Sequence, residues 1–285
     1  MTAQARISLD LFRQFKGRGR KFSVLTCYDA ATARLMEQAG VDMLLVGDTA
    51  AEVVLGLDST REIKPEFLIE LTAAVRRGAP KTFVLADLPY ACRSADRATA
   101  VQWAQRFCDE TGCDAVKIEV RSEDVDLVTQ AAGAGVPVIA HLGLLPQMLE
   151  PTMGYTAQGR DVEAARRLIE DAKRFESAGA QALLLEAVAA EVSREIAAQT
   201  SLPVIGCVAG PHCDGTVVVL HDMIGWGGGH PPRLVKRYEN LSDILSGAFA
   251  SYVSDIQAGR FPTDEQSIHM KPGELDKLTT RVGAP

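Results

Sequence analysis

Short, almost uninterrupted apolar runs alternate along this chain with segments of helical period. Residues 22–29 (FSVLTCYD), 43–48 (MLLVGD), 83–89 (FVLADLP), 115–120 (AVKIEV), 137–144 (PVIAHLGL), 182–188 (ALLLEAV) and 202–210 (LPVIGCVAG) read as buried strands. Residues 30–40 read as a helix with Leu35, Met36 and Ala39 on one stripe and Gly40 as its stop. Pro65 opens a helix that closes at Arg76, Arg77 and Gly78, with cations at the end the helix dipole favours. Ser94 is expected to cap a helix running to Gly112, and Ser122 with Glu123 and Asp124 to begin another. Residues 161–179 and 189–199 give two more.

Strands apolar on both faces and joined by helices imply a parallel sheet covered on both sides. Seven such runs within one unit of roughly 250 residues predict an α/β chain folded as a single-domain (β/α)8 TIM barrel. The eighth strand is ambiguous, because residues 217–225 (VVVLHDMIG) fit strand or helix equally by period. A doubly wound open sheet is the alternative, and the lack of a GxGxxG turn after the first strand argues against it. The barrel, with an N-terminal extension, is expected over 1–262, and 263–285 as a polar C-terminal tail.

Composition narrows the class. The 285 residues are 47% hydrophobic and 24% charged, which fits a soluble globular protein with a full core. A formal charge of −7 argues against a nucleic-acid or anionic-membrane surface, either of which needs a basic face. No apolar run reaches the ~20 residues of a membrane span. The N-terminal segment carries positive charge but no apolar targeting core, so a cytoplasmic location is expected. Cysteines at 27, 92, 108, 113, 207 and 213 form no CxxC pair and are expected as free thiols.

In a barrel of this kind, chemistry sits at the C-terminal ends of the strands. Those ends carry Tyr28-Asp29, Gly47-Asp48, Asp87, Lys117 with Glu119, His141 and Glu186. Ionisable groups inside apolar strands are costly unless paired or bound to a metal. Successive strands presenting such groups therefore point to one convergent site. Asp48, Asp87 and Glu119 form an all-oxygen set suited to Mg²⁺, Mn²⁺ or Ca²⁺ rather than zinc. Helix capping is the simpler reading of Asp29, Asp48 or Asp87 alone, but it does not explain Glu119. Lys117 and Glu119 are two apart and share a strand face, as an internal ion pair or as anchors for an anion and a metal. His141 is either a satisfied core histidine or a donor to a substrate oxygen. Glu186, after three leucines, is either one half of a buried pair or a general base raised by its apolar setting. Together a metal, a base and a lysine suit a 2-oxo acid: the ion polarises its carbonyl, the base takes a proton from the adjacent carbon, and the enolate forms or breaks a carbon–carbon bond.

The stretches TCYDAATARLMEQAGVDMLLVGD, GLDST, AAVRRGAP, LADLPY, AVKIE, AHLGLLPQ, GYTAQGR, LLLEAV, PVIGCVAG and DGTVVVLHD, in this order over residues 7–269, resemble the ketopantoate hydroxymethyltransferase family. The resemblance implies a TIM barrel that forms a large homo-oligomer and binds Mg²⁺. It implies transfer of a hydroxymethyl group from 5,10-methylenetetrahydrofolate to 3-methyl-2-oxobutanoate, giving 2-dehydropantoate in pantothenate biosynthesis. It casts Asp48, Asp87 and Glu119 as metal ligands, and Asp48, Thr49, Asp87, Lys117 and His141 as substrate contacts. Glu186 becomes the proton acceptor. Several positions depart from the family pattern. The family's GDS is GDT here, followed by Ala50, Ala51 and Glu52, GHDST has Leu57 for histidine, Ala140 and Leu145 stand in AHLGLLPQ, and the tail reads EQSIH with Gln266 and Ile268. The alternative function is a lyase or aldolase acting on another 2-oxo acid through the same site.

Overall fold

The computed structural model describes residues 6–149, 156–227 and 233–280. Gly154 and Tyr155 of the GYTAQGR stretch lie outside the described residues. Eight parallel strands close into a barrel in sequence order. They are β1 Phe22–Thr26, β2 Met43–Val46, β3 Phe83–Asp87, β4 Ala115–Glu119, β5 Val138–Gly143, β6 Ala182–Glu186, β7 Val204–Cys207 and β8 Gly215–Val218. The ambiguous stretch divides between both readings: β8 ends at Val218 and a short helix, Leu220–Ile224, follows. Closure is sealed by β1 on β8, with Phe22 paired to Gly215 and Val24 to Val217.

The helices are α1 Leu9–Gly17, α2 Ala30–Ala39, α3 Ala50–Val53, α4 Pro65–Gly78, α5 Tyr90–Arg93, α6 Arg97–Thr111, α7 Val125–Gly133, α8 Val162–Ser177, α9 Ala190–Gln199, α10 Leu220–Ile224, α11 Leu241–Gln257 and α12 Glu274–Thr280. Two local expectations change. On α2 the buried positions are Ala33 and Met36, whereas Leu35 is 66% exposed, because its position turns away from the barrel. The helix expected to start at Ser94 is two helices. Ser94 ends α5, and Asp96 caps α6 by accepting from the Thr99 amide, since a carboxylate offers the first turn a stronger acceptor than a hydroxyl. Asp29 caps α2, accepting from the Ala31 and Thr32 amides at 2.8 Å each, so its simpler reading holds.

Two cores follow from the strand period. Outward side chains such as Leu44, Val84, Val116, Ile118, Leu183 and Val204 pack against the helices. Inward side chains, including Met43, Leu45, Phe83, Leu85, Ala115, Ile139, Leu184 and Ile205, fill the barrel. α1 plugs its lower end with Phe12, whose ring lies 4.5 Å from Phe22 and 5.3 Å from Phe83. The chain divides into two compact units, Met1–Tyr238 with the barrel and Glu239–Pro285 with α11 and α12. The boundary expected at 262/263 falls inside the second unit. No described helix is long and apolar enough to cross a membrane.

Candidate active site

The same alternation that fills the barrel with leucine changes chemistry at its top. Reading inward positions along β4 gives Ala115, Lys117 and Glu119, along β5 Ile139 and His141, and along β6 Ala182, Leu184 and Glu186. Because the strands are in register, Asp87 pairs with Lys117, Glu119 with His141, and Gly143 with Glu186. Residues far apart in the chain thus become neighbours across adjacent strands. Gly143 is what lets β5 and β6 meet there: it has φ +97°, and a Cβ would stand 2.4 Å from the Glu186 carbonyl oxygen.

Lys117 lies at the centre. Its Nζ is 2.9 Å from Asp87 Oδ1 and 3.2 Å from His141 Nδ1. Burial pushes the Lys117 ammonium toward neutrality, but Asp87, Glu119 and Asp48 outweigh it and hold the charge on. His141 is buried, and burial together with Lys117 drives its pKa well below the usual histidine value, so the ring is neutral. An ammonium can only donate, so Nδ1 accepts and the proton sits on Nε2. That nitrogen lies 3.4 Å from Glu186 Oε2 without forming a directed hydrogen bond to it. Burial raises the Glu186 carboxyl to about 7, with Lys117 opposing and Asp48 adding to the shift.

The carboxylates are braced from the loop after β5. Gln147, fully buried, donates from Nε2 to Asp48 Oδ2 at 2.9 Å and to the Leu88 carbonyl at 3.2 Å. Its backbone amide donates to Glu119 Oε2 at 3.1 Å. The Asp48 amide donates to Asp87 Oδ2 at 3.3 Å. Gln147 escaped the residue-by-residue reading, since a neutral amide in a loop gives no charge signal. Its mark in the sequence is a polar side chain among apolar neighbours directly after Pro146, which opens a short 3₁₀ turn. Thr49 makes no capping bond to α3, and its hydroxyl lies beside that of Tyr28.

The site therefore gathers Asp48, Asp87, Glu119, Lys117, His141 and Glu186 at one mouth. Four carboxyl groups face one ammonium, and burial pushes Asp87 up and Glu119 well up as a result. An excess of buried oxygen donors over cations is the charge pattern that a divalent cation neutralises. Among the described residues, no group of three or more His, Cys, Asp or Glu side chains is placed to hold a metal ion. Mg²⁺ is commonly held by one or two carboxylates, with water and a chelating substrate completing its shell.

Comparisons with known proteins agree with this architecture. A family model described as ketopantoate hydroxymethyltransferase matches residues 6–264. A 3-methyl-2-oxobutanoate hydroxymethyltransferase from Geobacillus kaustophilus (strain HTA426) is 43% identical over 263 residues, covering 92% of this chain and 94% of its own length. One from Syntrophomonas wolfei subsp. wolfei (strain DSM 2245B / Goettingen) is 38% identical over 274 residues, covering 96% and 99%. Among solved structures, a phosphonopyruvate hydrolase in complex with oxalate and Mg++ superposes with TM-score 0.58 at 14% identity, covering 96% of each chain. A phosphoenolpyruvate phosphomutase from Streptomyces platensis subsp. rosaceus gives TM-score 0.60 at 15% identity, again covering 96% of each. The two structural likenesses speak to the fold.

Proposed function

The chain belongs to the ketopantoate hydroxymethyltransferase family, and from that premise we propose that it transfers a hydroxymethyl group from 5,10-methylenetetrahydrofolate to 3-methyl-2-oxobutanoate, giving 2-dehydropantoate and tetrahydrofolate. Asp48, Asp87 and Glu119 supply the carboxylates of which one or two would hold Mg²⁺ directly. Bound there, the ion would polarise the ketone of the 2-oxo acid and make its C3 proton more acidic.

The protein's own groups perform the remaining work. Lys117, kept charged by its carboxylate neighbours, attracts the anionic substrate. The Thr49 hydroxyl, unused by its helix, supplies a hydrogen bond to a substrate oxygen. Glu186 takes the proton from C3, with the neutral His141 imidazole beside its carboxylate at 3.4 Å. Negative charge left on the substrate is met by the Lys117 ammonium. Both carbon–nitrogen bonds that hold the donor's methylene break: water takes up the methylene at the formaldehyde level, and N5 and N10 are left as N–H. The carbon nucleophile adds to that carbon, whose oxygen takes the proton that left C3 and becomes the hydroxyl of the product.

The observation that carries this reading is the pairing of a raised, partly open carboxyl at Glu186 with a buried, carboxylate-rich pocket next to it. Exchange of the C3 proton of 3-methyl-2-oxobutanoate with deuterium, followed by NMR, tests it without the folate donor. Exchange is expected to require Mg²⁺ and to fall roughly a hundred- to ten-thousand-fold in Glu186→Gln. Exchange that persists in that variant would remove Glu186 as the base, and exchange indifferent to Mg²⁺ would remove the metal.

The proposal extends to a homo-oligomer. α11 has no buried residue in the single chain, and it exposes Ile244, Phe249, Tyr252, Val253 and Ile256. Apolar surface of this extent on one helix marks an association face.

A further inference from the structure

From Thr49 a series of aromatic rings leads away from the substrate pocket toward the surface. The Tyr28 hydroxyl is approached by those of Thr26 and Thr49 without closing a well-directed hydrogen bond. The Tyr28 ring lies 5.8 Å from that of His221 at 43°. The imidazole of His221 stacks on the indole of Trp226, centroid to centroid 4.8 Å and interplanar 16°. Trp226 is 42% exposed. The buried His221 Nδ1 has no hydrogen-bond partner. Two carboxylates flank this series: Glu52, at the end of α3, and Asp222, which follows His221 and has Arg237 near it. Glu52 lies within electrostatic range of both Asp48 and Asp222. The Cys207 thiol, paired in register with Glu186, senses Glu186 and Asp222 alike. The rings and acids therefore lie on the side of the mouth that adjoins both the pocket and the base.

A reduced pterin is a flat heteroaromatic with two adjacent N–H donors on one edge, and its bound methylene must reach the carbon that Glu186 deprotonates. We propose that the Tyr28–His221–Trp226 series is the pterin subsite, with the indole of Trp226 as its stacking platform and Glu52 and Asp222 as acceptors for the N–H edge. This assignment rests on the reading of 5,10-methylenetetrahydrofolate as the one-carbon donor. His221 holds the indole in place by stacking on it. A ring stacked on a neighbouring ring loses little side-chain freedom on binding, which suits a platform for a planar ligand.

Trp226 is one of two tryptophans, so Trp103→Phe leaves it as the sole indole. In that protein, tetrahydrofolate is expected to quench the emission saturably, and 4-aminobenzoylglutamate, which lacks the pterin, is expected not to. In steady-state assays, Trp226→Leu is expected to raise the KM for 5,10-methylenetetrahydrofolate roughly tenfold or more, the scale of a lost ring stack. The KM for 3-methyl-2-oxobutanoate is expected to move less than about twofold, and Trp226→Phe to recover most of the folate KM. A folate KM unchanged in Trp226→Leu, emission unaltered at saturating tetrahydrofolate, or equal quenching by 4-aminobenzoylglutamate would each overturn the assignment. The transferase reading is judged separately, by C3 exchange in the unaltered enzyme. Quenching without exchange would reject that reading and keep the ring site.

Discussion

His141 shows how one proton location organises the site. Lys117 cannot accept a hydrogen bond, so it fixes the histidine proton on the nitrogen that faces Glu186. As the proposed base, Glu186 would work only when ionised, and burial has moved its pKa up from the ordinary carboxylate range to about 7. The rate of C3 exchange is therefore expected to rise with pH through about 7 and to level off above it, read from the pH profile in deuterated buffer. Below that point the proton already on the carboxylate blocks the step. Gln147 acts on the pocket through its neighbours, bracing Asp48 with its side chain and Glu119 with its amide. Gln147→Ala keeps the amide but frees Asp48. It is expected to weaken Mg²⁺ affinity by about ten- to a hundredfold, measured by titrating exchange activity with the metal.

At the scale of elements, two backbone features hold the barrel's upper rim and its helical layer. Val208, just past β7, has φ 52°, a left-handed conformation that costs a β-branched residue about 1–2 kcal/mol. Val208→Gly is expected to stabilise the fold by about 1 kcal/mol, after allowance for the greater chain entropy of glycine. A urea midpoint that falls would show that the Val208 side chain gives more than its backbone costs. The second feature is the crossing of α2 and α4. A Cβ on Gly78 would meet the Ala30 carbonyl oxygen at 2.3 Å, and backbone cannot give way as a flexible side chain can. Gly78→Ala is expected to destabilise by about 1–3 kcal/mol, the usual scale of overpacking. Thermal and urea denaturation followed by circular dichroism would read it.

For the whole molecule, the contrast between the two compact units is the informative fact. The barrel-bearing unit hides large side chains in two layers, whereas α11 leaves every residue at least partly open. Exposed apolar surface of that extent on a helix is typical of association faces. Sedimentation or light scattering is expected to report an assembly larger than the 30.6 kDa chain. Phe249→Asp combined with Tyr252→Asp is expected to shift it toward smaller species, since each charge would have to be buried without a partner. A monomer in the unaltered protein would assign α11 some other cover.

The order and type of the central elements were legible in the chain because a buried parallel strand needs apolar side chains on both faces, and helices between such strands need only one apolar stripe. The ionisable positions 48, 87, 117, 119, 141 and 186 were legible for the same reason: each interrupts a run that otherwise avoids charge. Periodicity could not resolve the strand-to-helix change at Val218, where both periods fit, nor the outward turn of Leu35, which depends on how α2 is rotated against the barrel. Nor could it find Gln147, the His141 tautomer or the stack of His221 on Trp226. Those depend on which groups meet across strand register and loop packing, and a neutral amide or an aromatic ring acquires its role from its neighbours in space.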